Sequence, residues 1–326
     1  MSATVTCPSF LCRVFTCDLV VCGKEVRLTK SDFEAAKSIK NINANNEKMY
    51  SKNKFEGDID LGNRKIDDYI GSKAGPPGTL STTVRNTNLL WRNGRVPYTV
   101  SSHFGFHERA TIAAAIDAFR RHSCIRFVPR RSERNYVFIT DDGGCYSQLG
   151  RIGGQQILSL GNGCMFKGIV MHELMHVLGF VHEQSRSDRD NYIRVLWHNI
   201  DPSSRSQFRS YSWWFVTSLG ETYDYRSLMH YSSHAFSRNN RPTIVSLRPG
   251  VELGQKLGFT RKDHRKLNKL YGCWSHYRND PRIFRQQPSS SCKRVEDSYF
   301  LCQLLKKKCK KDTIKKMCAK TCGNCN

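Results

Sequence analysis

His172, Glu173, His176, Gly179 and His182 stand in the order His-Glu-x-x-His-x-x-Gly-x-x-His. On a helix, residues four apart share a face, so His172 and His176 can grip one ion together. Glu173, beside the first imidazole, can reach a water on that ion. Gly179 can take backbone angles that end a helix and turn the chain. The turn brings His182 round as a third imidazole. Three histidines with one open position are a catalytic zinc set; a structural site closes the fourth position, usually with cysteine. Five positions fixed in residue type and spacing arise by chance in roughly one chain of this length in ten thousand. A buried helix with incidental histidines gives no reason for three imidazoles and a carboxylate to face inward.

Two further segments carry chemistry. In Tyr223-Asp224-Tyr225-Arg226-Ser227-Leu228-Met229-His230-Tyr231, Met229 can form a soft apolar floor that does not compete for a metal. Tyr231 can offer its phenol to the ion or to a developing oxyanion, whereas His230 reads as structural. In Phe55-Glu56-Gly57-Asp58-Ile59, Gly57 lets the backbone bend, and the Asp58 carboxylate just after it could cap an open metal position.

The elements that must position these groups read as a mixed α+β domain. Trp91-Arg92-Asn93-Gly94 is a turn leading into a strand over Val96 to Val100. Ile112, Ala115, Ile116 and Phe119 set a helical period over His107 to His122. Cys124 to Val128, Tyr136 to Thr140 and Gly153 to Leu160 have strand propensity. The histidine-bearing helix starts between Met165 and Gly168, and a last helix ends at Asn268 to Tyr271, closed by Gly272 and Cys273. Lys30 to Lys54 is polar with little periodicity. Pro76-Pro77-Gly78 and Ser81-Thr82-Thr83 read as an exposed linker, where proteases cut.

The 326 residues suffice for one catalytic domain and small additions. No apolar run reaches the roughly 18 residues of a membrane span. Fourteen cysteines imply an oxidising compartment, and a net charge of +24 implies anionic glycans, membrane surfaces or acidic peptides as partners. The basic residues are scattered, which argues against nucleic acid. No Asn-x-Ser/Thr acceptor occurs. Phe10 to Cys22 makes a poor signal peptide, because Arg13 and Asp18 interrupt it; Cys7, Cys12, Cys17 and Cys22 recur at intervals of five around it. A degenerate signal segment, a misassigned start and a small disulfide unit all fit that stretch. Ser275 to Ser291 reads as a linker. Cys292, Cys302, Cys309, Cys318, Cys322 and Cys325 then form a disulfide scaffold, because so short a piece cannot bury enough core. Spacing alone leaves their pairing open, and Cys322 with Cys325 also reads as a zinc or redox pair.

The joint pattern His-Glu-x-x-His-x-x-Gly-x-x-His-Glu followed by Ser-x-Met-His-Tyr resembles the astacin family of zinc endopeptidases, among the metzincins. Glu183 after the third histidine and Tyr231 after Met229-His230 distinguish astacins within that group. Leu90-Trp91, Arg95-Val96-Pro97-Tyr98, Gly154-Gln155-Gln156 and Gly163-Cys164 extend the likeness over residues 86 to 273. The resemblance implies a two-lobed catalytic domain with a mixed sheet and a zinc-binding helix, acting on protein or peptide substrates outside the cell. It implies His172, His176 and His182 as zinc ligands, Glu173 as general base and then acid, and Tyr231 as a switchable fifth ligand. It implies Glu183 as a buried partner of the mature amino terminus, and disulfides Cys124–Cys273 and Cys145–Cys164. Asp58 matches the aspartate by which astacin propeptides block the zinc. Residues 1–85 would then be a signal and propeptide region, removed by an activating protease cutting the linker, with Arg85 a candidate site. Substrate would add as an extended strand along a sheet edge before the zinc helix. Many astacins read an acidic residue after the cut with an arginine near Gly-Gln-Arg. Here Gly254-Gln255-Lys256 puts a point charge in its place, so Lys256 predicts a weaker acidic preference. Ser187, where the family often has proline, changes little.

After the linker 274–291, residues 292–326 resemble the ShK-toxin-like domain, whose usual pairing implies Cys292–Cys325, Cys302–Cys318 and Cys309–Cys322. With ten Lys or Arg against three Asp or Glu, this piece carries a net charge of +7. It could dock on anionic matrix or membrane, and the alternative to a protease is a binding or toxin-like protein acting through it. Channel block is disfavoured, because Lys316 is followed by Met317 where such toxins carry an aromatic ring.

Overall fold

The computed structural model describes residues 25–43, 47–66, 87–211 and 218–273. Cys7, Cys12, Cys17 and Cys22, the linker around Pro76, Arg85, and the linker 274–291 and six-cysteine tail lie outside these residues.

The described chain builds a mixed sheet with helices against it. Its strands are β1 (Glu25–Val26), β2 (Ile59–Asp60), β3 (Arg95–Ser101), β4 (Arg126–Pro129), β5 (Tyr136–Thr140), β6 (Cys145–Gln148) and β7 (Gln155–Leu160). The hydrogen-bonded path is β1-β3-β5-β7-β6-β2, with β4 also on β3. β3, β5 and β7 are parallel, with Tyr98 opposite Val137 and Ile139 opposite Leu158. β6 returns antiparallel to β7, and β2 lies parallel to β6, Ile59 opposite Ser147. β8 (Ile193–Val195) and β9 (Ile244–Ser246) form a separate antiparallel pair. Among the described residues no helix is long and apolar enough to cross a membrane.

The helices are α1 (Lys30–Ala35), α2 (Phe106–His122), α3 (Lys167–Val177) and α4 (Arg261–Tyr271). α2 packs against both α1 and α3. Its alanines from Ala113 to Ala115 are buried, and their small side chains allow that close approach. Arg120, Arg121 and His122 in its last turn complement the helix dipole. α4 begins at a reciprocal cap, Thr260 N donating to Asp263 Oδ2 at 2.9 Å and Asp263 N to Thr260 Oγ1 at 3.0 Å. It ends at Gly272 in the left-handed conformation, φ 65°.

α1 lies at the start of the polar stretch after Lys30, where the sequence shows little periodicity. Six residues are too few for a hydrophobic period to show. The helix forms because Thr29 and Asp32 cap each other, Thr29 N donating to Asp32 Oδ2 at 2.8 Å and Asp32 N to Thr29 Oγ1 at 3.3 Å. Asp32 can be buried because Arg109 of α2 pairs with it at 3.2 Å. Leu28 and Phe33 then join the main core.

Two disulfides bound the domain: Cys124–Cys273 ties the entry of β4 to the end of α4, and Cys145–Cys164 ties β6 to the turn before α3. The first closes a separation of 149 residues. Replacing both Cys124 and Cys273 with serine should lower the unfolding free energy by about 4 kcal/mol, because the unfolded chain regains that loop's entropy. Denaturant titration under oxidising conditions measures it. A loss below about 1 kcal/mol would show that the bridge constrains little.

Candidate active site

α3 is buried throughout from Gly168 to Val177, so its amphipathic partition is replaced by contacts on every side. Its start lies against the 254–258 loop. A Cβ at Gly168 would come within 1.5 Å of the Lys256 carbonyl oxygen, so only glycine fits there. Its end is held by Trp91, whose Nε1 donates to Val177 O at 2.9 Å. Gly179, at φ 92°, reverses the chain while its N–H donates to His176 O at 2.8 Å. The reversal delivers His182 opposite the helix.

The three imidazoles meet. His172 Nε2 lies 3.1 Å from His176 Nε2 and 3.2 Å from His182 Nε2. Asp58 closes the fourth corner, Oδ2 at 3.1 Å from His172 Nε2 and 3.2 Å from His182 Nε2, Oδ1 at 3.3 Å from His176 Nε2. All four side chains are buried, and their ligand atoms lie within 4.8 Å of one another. The tautomers follow from the outer contacts. His172 Nδ1 donates to Leu228 O at 2.9 Å and His176 Nδ1 to Phe180 O at 2.6 Å. A carbonyl can only accept, so in the neutral rings each Nε2 presents a bare lone pair to the common centre. Tetrahedral zinc with ligands at about 2.0–2.1 Å sets ligand atoms about 3.3 Å apart. The donor set therefore fits one zinc ion in both chemistry and spacing.

Glu173 projects from the same helix and is fully buried, and neither carboxylate oxygen has a hydrogen-bond partner among the described residues. Burial, with the Asp58 charge, raises its pKa well above the usual carboxylate range. Tyr231 is buried beside His182, ring centroids 4.7 Å apart, and its hydroxyl donates to Glu56 O at 2.5 Å. Met229 is buried in the main core, and its carbonyl accepts from Glu183 N at 3.0 Å. His230 stands away from the ligand cluster: Tyr223 Oη lies 2.7 Å from its Nε2, and its Nδ1 donates to Tyr231 O at 2.7 Å.

Glu183 is buried and its carboxylate is engaged within the described chain. Lys266 Nζ lies 2.5 Å from Oε2, while Arg186 at 3.2 Å and Asp224 N at 2.9 Å reach Oε1. Lys256 is also buried, its ammonium donating to His230 O at 3.1 Å, and burial lowers its pKa to about 8. β6, the strand beside α3, has its outer edge taken by residues 58–60, with Ser147 N donating to Asp58 O at 3.0 Å. Glu56 is the site residue that spacing arguments pass over. Its Oε2 lies 2.7 Å from His182 Nδ1, and its Oε1 accepts from Tyr211 Oη at 2.7 Å. Its one sequence signal is an acid two places before Asp58, inside a short segment framed by Phe55 and Ile59.

Known proteins share this architecture. The zinc metalloproteinase nas-15 of Caenorhabditis elegans is 44% identical over 263 residues, 76% of this chain and 46% of that protein. High choriolytic enzyme 2 of Oryzias latipes is 46% identical over 208 residues, 60% of this chain and 74% of that protein. The chain spans about half the length of nas-15 and nas-13, 46% and 52%. Among solved structures, high choriolytic enzyme 1 of the medaka Oryzias latipes, described as a hatching enzyme zinc-protease, superposes with a TM-score of 0.55 at 42% identity. The match covers 62% of this chain and all of that one. The pattern of the astacin peptidase family fits residues 83–272, which include every histidine of the cluster; the chain belongs to the astacin family.

Proposed function

We propose that the protein is a secreted zinc endopeptidase made as a zymogen, in which Asp58 takes the metal's fourth position until the segment before the catalytic domain is removed. The observation that carries this reading is the convergence of three imidazole Nε2 atoms on the Asp58 carboxylate, 3.1–3.3 Å away, beside an unpartnered buried glutamate. Zinc, when bound, supplies an acidified water and polarises the scissile carbonyl. Glu173 accepts a proton and passes it to the leaving amine. Tyr231, once free of the Glu56 carbonyl, donates its hydroxyl to the oxyanion that forms on the substrate. The outer edge of β6, cleared of residues 58–60, accepts the substrate as an added strand. Met229 serves as an apolar floor to the ligands.

An activating protease would cut the linker that follows Pro76, with Arg85 a candidate site, and Glu183 would then receive the new amino terminus alongside Lys266 and Arg186. Lys256 would give a weak preference for an acidic residue after the cut. Fourteen cysteines support an extracellular location. Residues 292–326 would fold as a ShK-toxin-like module that docks on anionic matrix or membrane. Their net charge of +7 is also what favours the second reading, a binding protein acting through that tail. Retention of the full chain on an anionic matrix, with no peptidase activity after linker cleavage, would favour that second reading.

Glu173→Gln should lower kcat of the cleaved enzyme on a fluorogenic peptide by about 10²–10⁴-fold while zinc content stays at one per chain. Unchanged kcat would remove Glu173 from the chemistry. Asp58→Ala should speed zinc transfer from the uncut chain to a chelating dye by about 10-fold or more, because it removes the fourth ligand. An uncut variant that releases zinc at the parent rate would remove Asp58 as that ligand.

A further inference from the structure

The ligand histidines differ in what orients them. His172 and His176 are fixed by α3, and their Nδ1 atoms donate to the backbone carbonyls of Leu228 and Phe180. His182 lies beyond the helix, after the Gly179 reversal, and its Nδ1 faces a side chain instead. That side chain is Glu56, which belongs to the segment preceding the family match at 83–272. Glu56 Oε2 lies 2.7 Å from His182 Nδ1 and also accepts from the His182 backbone N–H at 3.3 Å. Its other oxygen accepts from Tyr211 Oη at 2.7 Å, and its own carbonyl accepts from Tyr231 Oη at 2.5 Å.

The turn that makes this possible is unusual for its residues. Glu56 holds φ 47°, the left-handed region that side chains other than glycine and asparagine rarely take. Gly57 follows at φ 82°, where a Cβ would come within 2.8 Å of the Phe236 ring. Two left-handed residues in succession turn Glu56 and Asp58 toward opposite nitrogens of the same imidazole. Asp58 Oδ2 meets His182 Nε2 at 3.2 Å while Glu56 holds Nδ1.

We propose that Glu56 is a positioning residue for the third zinc ligand. By accepting the Nδ1 proton it fixes the His182 tautomer and ring plane, so that the bare Nε2 faces the metal. The segment removed on activation is thus a scaffold as well as a block. Asp58 occupies the fourth position, and Glu56 sets the geometry of the third. Loss of the segment frees His182 Nδ1, Tyr211 and Tyr231 in one event, so metal retention and the release of Tyr231 are coupled through one residue. This inference rests on the zinc reading given above.

The test follows zinc transfer from the full-length, uncut, zinc-loaded chain to a chelating dye. Glu56→Ala should release zinc about 10-fold faster than the parent, the usual size of losing a partner to a ligand histidine. Glu56→Gln keeps a side-chain oxygen that accepts the Nδ1 proton, and should stay within about 3-fold of the parent. A purely structural role would leave both variants alike. Once the segment has been cut away, the parent and Glu56→Ala become the same chain. Their equal activity and equal zinc release would show that the variant folded correctly. Zinc bound by both uncut chains, with Glu56→Ala releasing it at the parent rate, overturns the positioning role alone. A parent chain that takes up no zinc overturns both this role and the reading beneath it.

Discussion

Three imidazole lone pairs and a carboxylate directed at one buried point repel or strain one another unless a cation joins them. That convergence of His172, His176, His182 and Asp58 is the constraint the rest of the structure serves. The helical repeat supplies two of the nitrogens, and the reversal at Gly179 supplies the third. Leu228 and Phe180 set the proton on the far side of two rings, so the segment around Met229 and the turn after α3 act on the metal without touching it. Gly168 matters for the same reason: any side chain there would push the ligand helix off the 254–258 loop.

Around this centre the protein buries charge wherever it can be paired. Glu183 with Lys266 and Arg186, and Glu221 with Lys269 and Arg265, link the chain after His182 to α4. Removing one partner of such a pair strands the other in a poor solvent, so these networks fix the position of α4 relative to the site more than they add net stability. Cys124–Cys273 holds the same helix to β4 covalently. The N-terminal segment is built differently. α1 docks on α2 through Asp32 and Arg109, and residues 55–60 reach the ligands through a strained turn and a short parallel pairing with β6. Short elements held at two places suit a segment that the proposed activation removes.

Most of what is local and periodic is legible in the sequence. The His172–His182 spacing, the period of α2, the β-branched run of β5 and the Gly272 stop can be read directly, because each depends on neighbours a few residues away. Asp58 is found through family likeness, since an acid after glycine is otherwise an ordinary turn. α1 escapes such a reading because its cap, Thr29 and Asp32, is the only local sign of a six-residue helix. Glu56 escapes it because its partners, His182 and Tyr211, lie 126 and 155 residues away. The burial of Lys256 against the His230 carbonyl depends on the path of the chain around α3, which no local pattern encodes.

The most direct measurement is X-ray absorption at the zinc edge on the uncut chain. The account predicts one zinc per chain with three imidazole nitrogens and carboxylate oxygen at about 2.0–2.1 Å, and no sulfur. Absence of bound zinc, or a shell containing cysteine sulfur at about 2.3 Å, would contradict it.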